Sequence, residues 1–218
     1  MTVLLFGPPG AGKSTQADLL SRKYRFTKFS MGDILREEVA SKTTLGKKIE
    51  KYIDRGILVP DDLVFELVEK FLREHRNTDI LFEGFPRTIN QALSLDKCLS
   101  QLGSSVSLAL EIYLDEEEVF KRLTNRGYCP NCGAIYNFTT NLPKRDHLCD
   151  NCGQHLITRS DDSEEIIRKR LMVYADETHK IAQHYDSPHV HKRINARGSR
   201  QEIFDKIVEI IDAYSSKG

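Results

Sequence analysis

The sequence lacks a net charge, a long apolar run and any internal repeat or low-complexity tract. Lys and Arg together number 32, as do Asp and Glu, so no overall basic field favours a nucleic acid or an anionic membrane as a partner. No apolar run approaches the roughly 20 residues of a membrane span. The first run begins at Val3, which leaves no room for a cleavable targeting peptide. We therefore expect a cytoplasmic protein whose anion sites are local.

The 218 residues, 39% of them hydrophobic, are enough to bury one substantial core. Five short apolar runs have the length of β-strands and are separated by helix-like segments: 3–6, 26–29, 80–82, 108–114 and 190–195. Alternating strands and helices predict an α/β fold in which helices cover both faces of a parallel sheet. In such folds, ligands bind at the carboxyl ends of the strands.

Three helix starts are predicted from capping patterns. Asp61 and Asp62 precede an apolar pattern with helical spacing. Asp162 and Ser199 are each followed three residues later by a glutamate, which is the spacing of a capping box.

The first apolar run leads directly into a glycine-rich loop. Residues 7–15 read GPPGAGKST and match the pattern G-x-x-x-x-G-K-[ST]. In that pattern glycines let backbone N–H groups surround an anion, the lysine reaches the β- and γ-phosphates, and a hydroxyl lies near Mg²⁺. A helix-like segment follows, so the phosphates would meet a helix N-terminus. The sequence predicts a nucleotide-phosphate site formed by Gly10, Ala11, Gly12, Lys13, Ser14 and Thr15.

Four of the five cysteines form two matched pairs, with a glycine after each pair. Their spacing is C-x₂-C-x₁₆-C-x₂-C, and they are Cys129, Cys132, Cys149 and Cys152. Four thiolates at this spacing fit tetrahedral Zn²⁺ with no open coordination position. We expect a structural zinc; the alternatives are unmetallated thiols or another metal such as iron.

Two stretches interrupt the alternation of strands and helices. Residues 30–59 are charged and helix-rich, and residues 125–162 contain the four paired cysteines. Both are predicted to be insertions into a core domain made of residues 1–29, 60–124 and 163–218. Zinc would hold together the second insertion, which is too short to build its own core.

Phosphoryl transfer requires more cations than the loop provides, because a nucleoside triphosphate and a phosphorylated acceptor bring several negative charges into one cleft. Arg87 follows the third apolar run, at the end of the strand where ligands bind. The other candidates lie at the borders of the cysteine segment or at the start of the first insertion: Arg36, Arg122, Arg126, Arg159 and Arg170.

Taken jointly, these motifs resemble the adenylate kinases over nearly the whole chain. The matching segments are 7–13, 32–36, 56–59, 84–88 with Gln91, and 159–162 with Arg170. The string Gly-Phe-Pro-Arg at 84–87 is typical of nucleoside monophosphate kinases, and the four-cysteine segment resembles the long, zinc-containing lid. The resemblance implies a monomer with a P-loop nucleoside triphosphate hydrolase-like fold, a five-stranded parallel sheet, a helical monophosphate-binding domain at 30–59 and a small zinc-ribbon-like lid at 125–162.

The resemblance also implies reversible phosphoryl transfer from MgATP to AMP, giving two ADP. The implied catalytic residues are Lys13, Arg87, Arg122, Arg126, Arg159 and Arg170. The ATP site would add Arg122, Arg126 and Arg200 to the phosphate loop. The AMP site would contain Met31, Arg36, Ile57, Leu58, Val59, Gly84, Phe85, Arg87, Gln91, Arg159 and Arg170. Glu83 would organise Mg²⁺, and Asp161 and Asp162 would orient the lid arginines.

The implied chemistry agrees with the residues present. The acceptor is already a phosphate anion, so no general base is required, and positioning with electrostatic stabilisation carries the rate. A lid that closes only over bound substrates would exclude water, the competing nucleophile.

Three positions depart from the usual adenylate kinase pattern. Ser14 stands where the family generally has glycine, Glu83 stands where it has aspartate, and Met31 replaces a threonine that helps to select AMP. The last change leaves open a kinase that prefers CMP or UMP. Gln91 favours AMP, because a base-edge amide discriminates more strongly than one lost hydroxyl contact.

A further alternative is a zinc-ribbon nucleic-acid-binding module attached to a nucleotide switch. Such a module needs a basic face that bears aromatic side chains. Between Arg126 and Arg159, Lys144 and Arg145 are the basic residues apart from histidines. The sequence therefore favours the kinase, with ATP and AMP rather than nucleic acid as partners.

Overall fold

The computed structural model describes residues 1–187 and 189–216, apart from the side chain of His179. Seven strands are present: Thr2–Phe6 (β1), Thr27–Ser30 (β2), Ile80–Glu83 (β3), Leu108–Tyr113 (β4), Arg126–Tyr128 (β5), Ile135–Asn137 (β6) and His191–Asn195 (β7). Five of them form a parallel sheet in the order β2-β3-β1-β4-β7, and β5 and β6 form a separate antiparallel pair. The predicted five-stranded parallel sheet is confirmed, with strand ends that agree to within one residue.

The helices of the described residues are Lys13–Tyr24 (α1), Met31–Ala40 (α2), Thr44–Ile53 (α3), Asp61–Glu74 (α4), Ile89–Gln101 (α5), Glu116–Thr124 (α6), Glu164–Val173 (α7), His179–His184 (α8) and Arg200–Ser215 (α9). A π-helical turn, Tyr174–Thr178, joins α7 to α8. In the described ranges, no helix is long and apolar enough to span a lipid bilayer.

Apolar side chains fill both faces of the sheet, which explains why its strands read as continuous apolar runs. Along β1, Leu4 and Phe6 join one buried cluster, whereas Val3 and Leu5 join the other. Helices α2 to α5 and α8 contribute to the first cluster, and α1, α6, α7 and α9 to the second. The carboxyl ends of β1 and β3 therefore emerge side by side between two helical layers.

One of the three predicted helix caps is confirmed. Ser199 and Glu202 form a complete capping box at the start of α9. All three helix starts are confirmed to within two residues, but the caps predicted for the other two helices are wrong, because neither α4 nor α7 has a side-chain cap hydrogen bond. Asp61 lies inside α4, Asp162 lies in a 3₁₀ turn before α7, and both carboxylates bind distant side chains instead.

Ser199→Ala is expected to lower the free energy of unfolding by about 1 kcal/mol, because it removes the hydrogen bond to the backbone N–H of Glu202. Ser163→Ala is the matched control, since Ser163 occupies the N-cap of α7 without a side-chain cap hydrogen bond. Urea unfolding followed by circular dichroism measures both variants. Equal losses would contradict the capping role of Ser199.

Candidate active site

The phosphate loop follows β1 and continues into the first turn of α1. Gly7 passes so close to β4 that an added Cβ would lie 2.0 Å from the carbonyl oxygen of Ile112, so only glycine fits there. The Lys13 ammonium donates hydrogen bonds to the carbonyl oxygens of Gly7 (2.9 Å) and Pro8 (2.7 Å). The lysine thus folds back over the loop, within reach of a phosphate held by the loop's N–H groups.

The environment of Lys13 disfavours its charged form. Burial is the main reason that the pKa of Lys13 is lowered to about 7; the charges of Arg87, Arg170 and Arg126 also lower it, whereas Glu83 acts in the opposite direction. A polyphosphate bound at the loop would supply negative charge and raise this pKa.

Glu83 ends β3 as a buried carboxylate beside the phosphate loop. Its Oε1 accepts a hydrogen bond from the Ser14 hydroxyl (3.1 Å), and its Oε2 accepts one from the Ser30 hydroxyl (2.7 Å). Two of the positions that depart from the adenylate kinase pattern, Ser14 and Glu83, are therefore direct partners. Oxygen groups of this kind are the ligands that Mg²⁺ and its bound waters prefer, so the donor set fits magnesium.

Five of the predicted arginines interact electrostatically beside the loop: Arg36, Arg87, Arg126, Arg159 and Arg170. Burial lowers the pKa of three of them, Arg87, Arg159 and Arg170, and like charges within the group lower it further. For Arg159 the pKa falls to about 10. Its Nε is buried without a hydrogen-bond partner among the described residues. Cations held this closely favour a multiply charged anion.

Two aspartates in the turn before α7 hold arginines of this cluster. Asp162 is buried and binds Arg126 through both carboxylate oxygens, at 2.7 Å from Nε and 2.5 Å from a terminal nitrogen. Asp161 lies 2.9 Å from the Arg170 guanidinium. Although burial alone would raise the pKa of Asp161, the charges of Arg170, Arg126 and Arg159 lower it. Both aspartates thus contact arginines that they were predicted to orient.

A cavity opens between the arginine cluster and residues 30–59. Nine of the predicted acceptor residues line it: Met31, Arg36, Ile57, Leu58, Val59, Gly84, Arg87, Gln91 and Arg170. Apolar walls together with guanidinium groups suit a ligand that has an aromatic base and an anionic group. Two other predicted residues do not line it: Phe85 is fully buried in the core, and Arg159 lies in the arginine cluster.

Arg122 and Arg200 lie away from this cavity. On α6, Arg122 donates to the Glu118 carboxylate (3.0 Å) and to the carbonyl oxygen of Ala196 (2.8 Å), just after β7. Arg200 is exposed at the start of α9, and its carbonyl oxygen accepts a hydrogen bond from Gln16 (3.0 Å). Both arginines thus flank the segment between β7 and α9.

Several residues of the site were missed in the sequence. Ser30 holds Glu83, Asp61 binds Gln91, and Tyr174 and Thr178 line the cavity from the π-helical turn. In the sequence, Asp61 matches only the pattern of a residue at a helix start, and that pattern does not predict a contact with Gln91. The π-helical turn has no sequence pattern that would have identified it.

The paired cysteines converge in the segment that contains β5 and β6. All four sulfur atoms lie within 4.8 Å of one another, and two of the pairs are 3.5 Å apart. In a tetrahedron with Zn–S bonds of about 2.3 Å, sulfur atoms are about 3.8 Å apart. Both knuckles have the same turn, in which Gly133 and Gly153 have positive φ angles and donate to the carbonyl oxygens of Cys129 and Cys149. The cluster therefore fits a tetrahedral metal ion.

Comparison with known proteins agrees with these features. A family model described as adenylate kinase matches residues 5–190. An adenylate kinase of Thermococcus kodakarensis is 40% identical over 217 residues, covering 100% of this chain and 96% of the relative. One of Caldicellulosiruptor bescii is 41% identical with 98% of each chain covered, and one of a Hydrogenobaculum species is 39% identical over 97% of this chain and 100% of the relative. The resemblance found in the sequence motifs is confirmed: the chain belongs to the adenylate kinase family.

Proposed function

We propose that this protein transfers a phosphoryl group reversibly from MgATP to AMP and so produces two molecules of ADP. The observation that carries the proposal is the convergence of Lys13 and five arginines beside the phosphate loop and next to a cavity that Gln91 helps to line. Membership of the adenylate kinase family supports the same reaction, and the named relatives do not favour a kinase that prefers CMP or UMP.

The two nucleotides would occupy opposite sides of the arginine cluster. The phosphate loop with Lys13 would hold the donor phosphates, and Arg122 and Arg200 would lie beside the donor base. Arg36 and Arg87 would bind the acceptor phosphate. The proposed domain division follows from this arrangement: residues 30–59 bind the monophosphate, residues 125–162 form the lid, and the remainder is the core.

Catalysis would be electrostatic. Arg126, Arg159 and Arg170 would surround the transferring phosphoryl group, with Asp161 and Asp162 holding two of these arginines in place. The attacking oxygen belongs to a phosphate anion, so no side chain has to remove a proton. Closure of the lid would exclude water from the reacting groups.

Both metals of this proposal have suitable residues. Glu83, with the hydroxyls of Ser14 and Thr15, would hold Mg²⁺ beside the donor phosphates, where the ion neutralises their charge. The four cysteines would hold a structural zinc. In the lid, Tyr136 and Leu156 are the buried apolar side chains besides two of those cysteines, so a metal would be needed to stabilise this small segment.

In a coupled assay with MgATP, AMP is expected to give the highest kcat/KM among AMP, GMP, CMP and UMP. Arg87→Ala should lower kcat/KM for AMP about 100-fold or more, because it removes a cation that acts on the reacting phosphates. Arg73→Ala, which changes an exposed arginine of α4, is the control. Activity with none of the four acceptors would rule out the kinase.

Cys149→Ser is expected to reduce the zinc bound per chain and to lower hydrogen-exchange protection within residues 125–162, because one of four ligands is weakened. Cys98→Ser, in α5, is the matched control and should retain full zinc content. Elemental analysis and hydrogen exchange measure the two effects, and ATP binding to the core should persist. Unchanged lid protection after loss of zinc would contradict a structural role.

ATP binding at pH 8 is expected to take up about one proton, because Lys13, with a pKa of about 7, is mostly neutral before the phosphates raise that pKa. Calorimetric titration with a non-hydrolysable ATP analogue in buffers of different ionisation enthalpy measures the uptake. Lys13→Arg should abolish it, since guanidinium stays protonated at pH 8. Equal apparent enthalpies in all buffers for the unmodified protein would refute the prediction.

A further inference from the structure

The amide of Gln91 is held by two partners of opposite hydrogen-bonding character. Its Oε1 accepts a hydrogen bond from the backbone N–H of Arg87 (2.7 Å), and its Nε2 donates one to Oδ1 of Asp61 (2.6 Å). Gln91 is buried, with 2% of its surface exposed, and it lines the cavity proposed for the acceptor. Asp61 contacts the amide but, among the described residues, is not part of the cavity lining.

These partners permit only one orientation of the amide. A carboxylate accepts hydrogen bonds and cannot donate them, whereas a backbone N–H only donates. Rotating the amide by 180° would place its oxygen against the Asp61 carboxylate and its NH₂ against the Arg87 N–H. Two favourable contacts would become repulsive in a buried position, where unsatisfied polar groups are costly.

Asp61 is itself held in place. Its second carboxylate oxygen lies 3.4 Å from the Thr88 hydroxyl, and the Thr88 oxygen caps α5 by accepting a hydrogen bond from the backbone N–H of Gln91 (3.1 Å). Asp61, Thr88 and Gln91 thus join the first turns of α4 and α5. This connection fixes the glutamine at both its backbone and its side chain.

The amide has two N–H groups and two oxygen lone pairs, and one of each is used in the contacts with Asp61 and Arg87. One N–H and one lone pair therefore remain for a ligand. That pair matches a base edge with an unprotonated ring nitrogen beside an exocyclic amino group, as in adenine and cytosine. Guanine and uracil present the reverse, a ring N–H beside a carbonyl. A freely rotating glutamine could accept either edge, whereas the fixed one can accept only the first.

We propose that Asp61 is a positioning residue for acceptor specificity: by fixing the orientation of the Gln91 amide, it makes the site select amino-bearing bases over keto-bearing ones. This inference rests on the proposed function and adds a residue outside the cavity that decides what the cavity recognises. On this proposal, Asp61 affects the discrimination between amino-bearing and keto-bearing bases. Discrimination between purines and pyrimidines depends instead on the size of the cavity.

The test compares Asp61→Asn with Asp62→Asn. Asparagine can either donate or accept, so the first variant lets the Gln91 amide turn over; the second changes the exposed neighbour in the same helical turn and removes the same charge. Asp61→Asn is expected to lower the AMP-to-GMP and CMP-to-UMP ratios of kcat/KM by about tenfold or more, mainly through KM. Asp62→Asn should leave both ratios unchanged. Asp61→Glu, which restores an acceptor-only group, should retain more of the discrimination.

A double-mutant cycle shows whether Asp61 acts through Gln91. In a Gln91→Ala background, Asp61→Asn should change the ratios by less than about twofold, because no amide remains to be oriented. If Asp61→Asn does not fold, Asp61→Ser carries the same prediction, since a hydroxyl also donates or accepts. Unchanged ratios in the variant that folds, or equal changes with and without Gln91, would overturn the inference alone. An unmodified protein inactive with all four acceptors would overturn the proposed function as well.

Discussion

Positive charge concentrated at the carboxyl end of the sheet is the constraint on which the rest of this structure depends. The chain as a whole has no net charge, yet Lys13 and five arginines meet around one cleft. Burial, and after it the repulsion between these cations, lowers the pKa values of Lys13, Arg87, Arg159 and Arg170. Such a cluster opposes folding and is relieved by anions, so substrate phosphates would stabilise the same arrangement that reacts with them.

The acidic residues of the site hold the cations in position. Arg126 lies in β5 near the start of the predicted lid, residues 125–162, and Asp162 is its last residue, just before α7. Their bidentate ion pair joins the two ends of this segment. The arginine proposed to act on the transferring phosphoryl group thus also connects the two ends of the predicted lid. Few other side chains are buried in the rest of this segment, so its stability depends mainly on the four cysteines.

Short polar contacts connect the phosphate loop to the helices around the cavity. Glu83 connects Ser14 in the phosphate loop to Ser30, the residue before α2. Arg87 and Gln91 share another contact, and Asp61 extends it to α4. The loop that would bind ATP and the helices around the cavity proposed for the acceptor are therefore linked through a few buried or half-buried groups. A substitution on one side is expected to alter ligand binding on the other.

The sequence by itself determined the strands, the phosphate loop and the cysteine spacing, because each is a local pattern of residue type and separation. It also supplied the arginines of the cluster beside the phosphate loop. Tertiary structure alone decided what the aspartates do. The sequence predicts Asp61 and Asp162 as helix caps, but the side chains that they bind lie 30 and 36 residues away. A carboxylate can accept from a helix N-terminus or from a distant side chain equally well, and only the packing of whole elements brings one of those donors within reach.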